Sequence, residues 1–361
     1  MNFRTFALLG AASALALTAC SPKPADKAPA STNISADAAQ PQPGQAAADM
    51  NVVLDKLASL GGKPIETLSP TDARLQPTPA DAVKAVMKDK GVAMDTSVTT
   101  KDVTYPTGNG GFQKARIYTP AGASGPLPVV LYIHGGGWAI ANIDVYDATP
   151  RAIAKAANVV VVSMEYDLAP EHKFPAAHNE ANAAYQWVLK SASQFGGDPS
   201  KVGLLGESAG GNMVVNIAIA ARDNHWQAPS SVVAVYPVAD SNMATATKLK
   251  FTTTKPLNTK MLAWFFVQTL SNPGQALDKR LNLVAADLKG LPPTTIILAE
   301  IDPLHDDGAN LGTKMQAAGD TVEVKEFPGV THEFFGMGSV VANAKAAEDY
   351  AAAKIKAGFG T

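Results

Sequence analysis

After residue 100 the chain alternates between short apolar runs and longer amphipathic stretches. The runs are Ala115–Tyr118, Pro128–Ile133, Val159–Met164, Val202–Leu205, Val232–Tyr236, Thr295–Leu298 and Val322–Phe327, each bounded by turn-forming residues. The later runs are near-continuous Val, Ile and Leu, the pattern of strands covered on both faces. Between them, Ala176–Phe195, Asn212–Arg222, Gly308–Ala318 and Val340–Lys356 carry apolar residues at helical spacing. Strands alternating with helices predict a mostly parallel sheet in an α/β fold. Two segments break the rhythm. Val52–Leu60 and Pro79–Lys88 read as helices ahead of any strand, and 240–290 has no strand-like run but a helix candidate, Asn258–Leu270, containing Trp264, Phe265 and Phe266. Segments near 50–100 and 240–290 are therefore expected to form a helical cap, the second of them over the C-terminal strand ends where such sheets bind ligands. No internal repeat is evident.

The first 20 residues follow another logic. A short basic region with Arg4 precedes an apolar run from Phe6 to Leu17 and then small residues, a signal-peptide pattern spanning 1–19. The run is too short to span a bilayer, which takes about 20 apolar residues. Leu17-Thr18-Ala19-Cys20 resembles the bacterial lipobox, which makes Cys20 the expected lipidated N-terminus of the mature chain. From Cys20 to residue 49 the sequence is rich in Ala, Pro, Ser, Gln and Lys and lacks aromatic residues. It reads as a disordered tether, because it cannot bury enough apolar surface to offset its ordering entropy. The expectation is a folded domain over 50–361, held in the cell envelope by lipid on Cys20. Ser21 following the cysteine resembles the sorting pattern for the outer membrane of a Gram-negative cell, with the domain on its periplasmic or surface side.

Composition narrows the function. Of 361 residues, 46% are hydrophobic and 17% charged, enough apolar material for a substantial core. A formal net charge of −2 leaves no electrostatic footprint for nucleic acid. A single cysteine excludes an intramolecular disulfide.

Two motifs carry chemistry. Gly206-Glu207-Ser208-Ala209-Gly210 follows the run Val202–Leu205 and precedes an apolar helix, the setting of a nucleophile elbow that lifts a serine hydroxyl above a sheet. His134-Gly135-Gly136-Gly137-Trp138 ends the run Pro128–Ile133; consecutive glycines let backbone N–H groups approach and aim at an oxyanion. His134 is read as fixing that loop rather than as a base. Asp302 follows the run Thr295–Leu298 and His332 lies in a loop after Val322–Phe327, so both are expected at the same sheet edge as Ser208. The chain order Ser, Asp, His is that of the α/β-hydrolases. Asp306 and Asp307 compete with Asp302 for the acidic role, and Asp302, His305, Asp306 and Asp307 together form a metal-site alternative without zinc-type spacing.

With these residues in view, the sequence over roughly 50–345 resembles the hormone-sensitive-lipase-like esterases. The matching stretches are HGGGW at 134–138, YDLAPEHKFPAA at 166–177, GESAGGN at 206–212, DPLHDDG at 302–308 and GVTHEFF at 329–335. The resemblance implies an α/β-hydrolase fold with a mostly parallel eight-stranded sheet, helices on both faces and a helical cap. It implies Ser208 as nucleophile, Asp302 as acid and His332 as base, with Gly136, Gly137 and the Ala209 amide as oxyanion hole. Asp167 stands where the family usually has Arg, and His305 where Arg is usual. Neither departure touches the triad.

The function expected is hydrolysis of short-to-medium acyl esters through an acyl-enzyme, with a small-molecule ester as partner and no cofactor or metal. Trp138, Trp264 and Phe334 are candidate pocket walls, core packing being the alternative for each. Other readings are an amidase or deacetylase acting on envelope or sugar acyl groups with the same triad, and a non-catalytic surface lipoprotein. An intact triad and oxyanion loop weigh against the last. Oligomeric state leaves no mark on the sequence.

Overall fold

The computed structural model describes residue 42 and residues 44–361. The signal peptide, Cys20 and the tether up to residue 41 lie outside the described residues.

One sheet organises the domain. Its strands are Val98–Pro106 (β1), Phe112–Pro120 (β2), Leu127–Ile133 (β3), Val160–Met164 (β4), Gly197–Glu207 (β5), Val232–Val235 (β6), Thr294–Ile301 (β7) and Val322–Thr331 (β8), ordered β1-β2-β4-β3-β5-β6-β7-β8. β2 runs antiparallel to β1 and β4, and the remaining neighbours pair in parallel. Each of the seven apolar runs falls on a strand, with Val159 and Tyr236 one residue outside β4 and β6. β1 escaped that reading because it is an edge strand: its Val98 and Tyr105 are buried, while Thr99 to Asp102 are exposed. Such a strand is held by main-chain pairing to β2 rather than by an apolar run.

The helices are Ala48–Ser59 (α1), Pro70–Ala73 (α2), Pro79–Asp89 (α3), Ala148–Ala157 (α4), Ala176–Ser191 (α5), Ala209–Asp223 (α6), Ala246–Lys250 (α7), Thr259–Thr269 (α8), His305–Ala317 (α9) and Ala342–Gly358 (α10). Alternate residues of β3 feed two cores, as the strand period of two requires. Val129, Leu131 and Ile133 pack with Ala184 and Val188 of α5, Val214 and Ile217 of α6 and Leu311 of α9. Val130 and Tyr132 pack with Ile153 of α4 and Ala347 and Ile355 of α10. α4 left little trace in the sequence, since alanine dominates it and Ile153 is its one large buried aliphatic. Among the described residues no helix is long and apolar enough to cross a membrane.

The body begins earlier than composition indicated. The Gly44 amide donates to Glu300 Oε1 (2.6 Å) and the Ala47 amide to the Gly329 carbonyl (2.8 Å), so the chain is docked beside β7 and β8 before α1 starts. Bonds made by main-chain amides need no apolar side chain, and the Ala- and Gln-rich composition there conceals them. The cap is likewise narrower than expected at its N-terminal end. α1 packs on α3, and both join the α4/α10 core. Only the stretch around α2 reaches over the strand ends. Arg74 ties it down by donating to the carbonyls of Ala139 (2.9 Å) and Ala169 (2.8 Å). From the other segment, α8 begins at Asn258, whose side chain accepts from the Met261 amide (3.0 Å), a cap that satisfies an otherwise unpaired N–H. The Trp264 indole then donates to the Leu68 carbonyl (3.1 Å), joining the two pieces.

Candidate active site

Ser208 sits between the last residue of β5 and the first of α6, at φ 55° and ψ −114°. For a residue with a Cβ this region costs about 1–3 kcal/mol, and it persists only where surroundings hold it. Here the Ser208 amide donates to the Val235 carbonyl (2.9 Å) and its carbonyl accepts from Asn212 (3.0 Å). The elbow also presses on the end of β3: a Cβ on Gly210 would lie 2.0 Å from the Ile133 carbonyl oxygen, which is why glycine stands there.

Three side chains from three loops meet above the sheet. His332 Nε2 lies 3.1 Å from Ser208 Oγ, and His332 Nδ1 lies 2.7 Å from Asp302 Oδ2. Asp302 is fully buried, and its second oxygen accepts from the Leu304 amide (2.8 Å). Burial alone would push the His332 pKa down; the charge and hydrogen bond of Asp302 outweigh it, and the imidazole titrates above its usual value. The arrangement can accept a proton at Nε2 while a carboxylate steadies the resulting charge from the far side of the ring.

The competing acids have other partners. Asp307, fully buried, pairs with Lys248 Nζ (2.7 Å) and accepts from the Ala239 and Asp240 amides. Asp306 accepts from the Thr247 amide (3.0 Å), and His305 meets Glu326 (2.6 Å). Both aspartates thus fasten the 240–290 insertion to the start of α9, and Asp302 alone of the three reaches the histidine.

The glycine loop faces the same space. Gly136 and Gly137 have φ of 97° and 57°, and a Cβ on Gly137 would fall 2.3 Å from the Phe265 ring. Neither amide, nor that of Ala209, finds an acceptor among the described residues. His134 holds the loop's base, stacked on Tyr166 (4.3 Å between ring centroids) with Nδ1 at the Gly135 carbonyl (2.8 Å) and Nε2 at Glu165 (3.1 Å).

Ser208, His332, Gly136 and Gly137 line one cavity of about 410 Å³, closed above by Ala73 and Arg74 from the first cap segment and by Leu257, Met261, Leu262, Phe265 and Phe266 from the second. Of the three aromatic wall candidates, Trp138 lines it. Trp264 and Phe334 do not. Trp264 is turned toward the first cap segment by its bond to Leu68, and Phe334 is fully buried against Tyr236 and Phe327 in the α4/α10 core. The aromatic wall from α8 is instead its next two residues, Phe265 and Phe266.

Sequence reasoning passed over the floor of the site. Glu207 is wholly buried beneath the elbow, accepting from the hydroxyls of Tyr132 (2.6 Å) and Tyr236. Burial pushes its pKa up to about 8 against the pull of those hydrogen bonds. The Tyr236 ring in turn packs on His332 (4.4 Å between centroids). The available signal was a glutamate inside the elbow and phenols at the ends of otherwise aliphatic strands. Also unforeseen was Glu333, at φ 67° in the cavity wall, accepting from the Tyr146 hydroxyl (2.7 Å).

This geometry has relatives. A family described as alpha/beta hydrolase fold matches residues 130–336. A carboxylesterase of Mycobacterium tuberculosis is 36% identical over 67% of this chain and 77% of its own length, and an ethyl acetate hydrolase of Pseudomonas putida is 31% identical over 78% and 88%. Among solved structures, a thermostable esterase from Pseudomonas putida superposes with a TM-score of 0.76 at 31% identity, covering 85% of this chain and 96% of that one. A thermophilic carboxylesterase from a metagenomic library gives 0.74 at 34%, covering 81% and 98%. The chain therefore belongs to the α/β-hydrolase family, on the branch of the hormone-sensitive-lipase-like esterases.

Proposed function

We propose that the protein hydrolyses carboxylic esters of short-to-medium acyl chains through an acyl-enzyme on Ser208. The observation that carries this is the hydrogen-bonded chain from Asp302 through His332 to Ser208, opening on a cavity beside three unengaged amides. His332 takes the hydroxyl proton as Ser208 attacks the carbonyl carbon, while Asp302 orients the ring and stabilises the imidazolium. The amides of Gly136, Gly137 and Ala209 receive the oxyanion. His332 returns the proton to the departing alkoxide, and water then repeats the sequence to release the acid. The cavity volume and the Phe265 and Phe266 walls support a limit on chain length.

A p-nitrophenyl ester series tests the reading. Acetyl, butyryl and hexanoyl esters are expected to turn over, with kcat/KM for the lauroyl ester lower by about tenfold or more, since pocket fit discriminates by factors of that order. A folded protein inert toward every member overturns it.

The reading includes an address. Leu17-Thr18-Ala19-Cys20 and the polar segment behind it support anchoring of the mature enzyme in the cell envelope by lipid on Cys20, toward the outer membrane. More than one acyl chain on the cysteine suffices for stable anchoring. Cys20→Ser is expected to move the enzyme to the soluble fraction, or leave it unprocessed, with kcat/KM unchanged. A mature N-terminus downstream of Cys20 and free of lipid, read by mass spectrometry, speaks against the anchor.

A further inference from the structure

We propose that Glu333 makes this site selective for charge, favouring esters whose alcohol half carries a cationic nitrogen over uncharged esters of the same shape. The inference rests on the esterase reading above. Glu333 directly follows His332, and its Oε1 lies 3.8 Å from His332 Nε2, the nitrogen that faces Ser208 Oγ at 3.1 Å. In ester hydrolysis that nitrogen delivers the proton to the leaving oxygen. The alcohol half of the substrate must therefore pass beside Nε2, and the carboxylate next to Nε2 meets the alcohol half rather than the acyl half.

Among the described residues the one charge contact of Glu333 is the loose 3.8 Å approach to His332 Nε2, which is an ion pair only while the imidazole is protonated. Glu333 accepts from the Tyr146 hydroxyl through both oxygens (2.7 Å each), which fixes the carboxylate without neutralising it. At 3.8 Å it is too far from Nε2 for a hydrogen bond, and the imidazole already has Asp302 at 2.7 Å on its other nitrogen. Among the described residues Arg74 is the one arginine in the cavity lining and no lysine joins it, and its guanidinium is committed to Glu171 (2.7 and 2.9 Å) and to two carbonyls. Glu165 and Asp167 line the same cavity, Asp167 at a position where the sequence resemblance leads one to expect arginine. A cation beside the leaving oxygen finds an oriented, partly desolvated carboxylate, whereas an anionic alcohol half finds no free cationic side chain among the described residues of the lining, the unengaged amides being reserved for the oxyanion of the acyl half. Low-dielectric walls strengthen that preference over its value in water.

The test uses a charge pair of matched shape: acetylcholine and its uncharged carbon isostere 3,3-dimethylbutyl acetate. The wild-type protein is expected to give a kcat/KM ratio of about five or more in favour of the cation, the size of one partly screened charge contact. Glu333→Gln is expected to bring the ratio close to one while the neutral ester is still hydrolysed, and Glu333→Asp to keep part of the preference. As a measure independent of any variant, the wild-type ratio is expected to shrink as salt is raised from about 10 mM to 0.5 M, because the Debye length falls from about 30 Å to a few ångströms. Turnover of both esters at a ratio that neither salt nor Glu333→Gln changes overturns the charge proposal alone. Turnover of neither by a protein that hydrolyses p-nitrophenyl acetate also overturns the charge proposal, and inertness toward the p-nitrophenyl esters as well overturns the esterase reading with it.

Discussion

Ser208→Ala is expected to lower kcat for any accepted ester by about 10⁵–10⁶-fold, as removal of a serine nucleophile does in other hydrolases, with the melting temperature close to that of the wild type. The structure explains both halves of that result. The one side-chain hydrogen bond lost is the 3.1 Å contact with His332, and the elbow's main-chain bonds to Val235 and Asn212 do not involve the hydroxyl. Alanine carries the same Cβ as serine, so the strain at φ 55° neither rises nor falls. Activity left in the variant would come from the unengaged amides acting on bound ester, which in serine hydrolases still exceeds the rate in water. A fluorophosphonate probe, which phosphonylates an activated serine, is expected to label the wild type at Ser208 and to leave the variant unlabelled. Undiminished labelling of the alanine protein removes Ser208 from its role.

The second largest effect is expected at Asp302. Asp302→Asn preserves shape, but the amide can present an N–H toward Nδ1 and hold the wrong tautomer, and the stabilising charge on the imidazolium is lost. A fall of about 10⁴-fold in kcat is expected by analogy with the same change in serine proteases. The neighbouring aspartates supply the control. Asp306→Asn keeps an oxygen to accept from the Thr247 amide and loses only the charge at a partly exposed position, and is expected to cost far less. Asp307→Asn strands Lys248, itself 1% exposed, without its countercharge. Breaking a buried pair from one side costs about 3–5 kcal/mol, so this variant is expected to lose stability in a denaturant melt while keeping most of its turnover per folded molecule. Equal loss of kcat in folded Asp306→Asn and Asp302→Asn would assign the acid wrongly.

That contrast marks where the sequence stops being readable. The Ser208 elbow and the glycine loop are legible because each is a local device: the elbow joins a strand directly to a helix, the loop directly follows a strand, and the glycines that permit each are themselves part of the motif. The same holds for the apolar runs of the inner strands, which are buried on both faces and so announce themselves. β1 is silent because an edge strand is held by main-chain bonds to β2, which composition does not record. The docking of residues 44–47 is silent for a related reason, since it is made by the main-chain amides of Gly44 and Ala47, to the Glu300 carboxylate and the Gly329 carbonyl.

What the tertiary structure decided are the choices among residues of equal chemistry. Asp302, Asp306 and Asp307 share a loop and a helix start, and only packing assigns one to His332, one to Thr247 and one to Lys248. Trp264, Phe265 and Phe266 are consecutive on α8, yet the bond from the Trp264 indole to Leu68 turns it toward the first cap segment and leaves the two phenylalanines on the cavity. Phe334 is drawn into the core while Glu333 beside it, at positive φ, stays in the cavity wall. The sequence by itself determined the candidate elbow at Ser208 and the glycine loop facing it, since a strained elbow and a donor-rich loop demand particular residues at fixed spacing. The shape and charge of the space around that centre came only from the fold, because they depend on which side chains distant in sequence are brought to face one another.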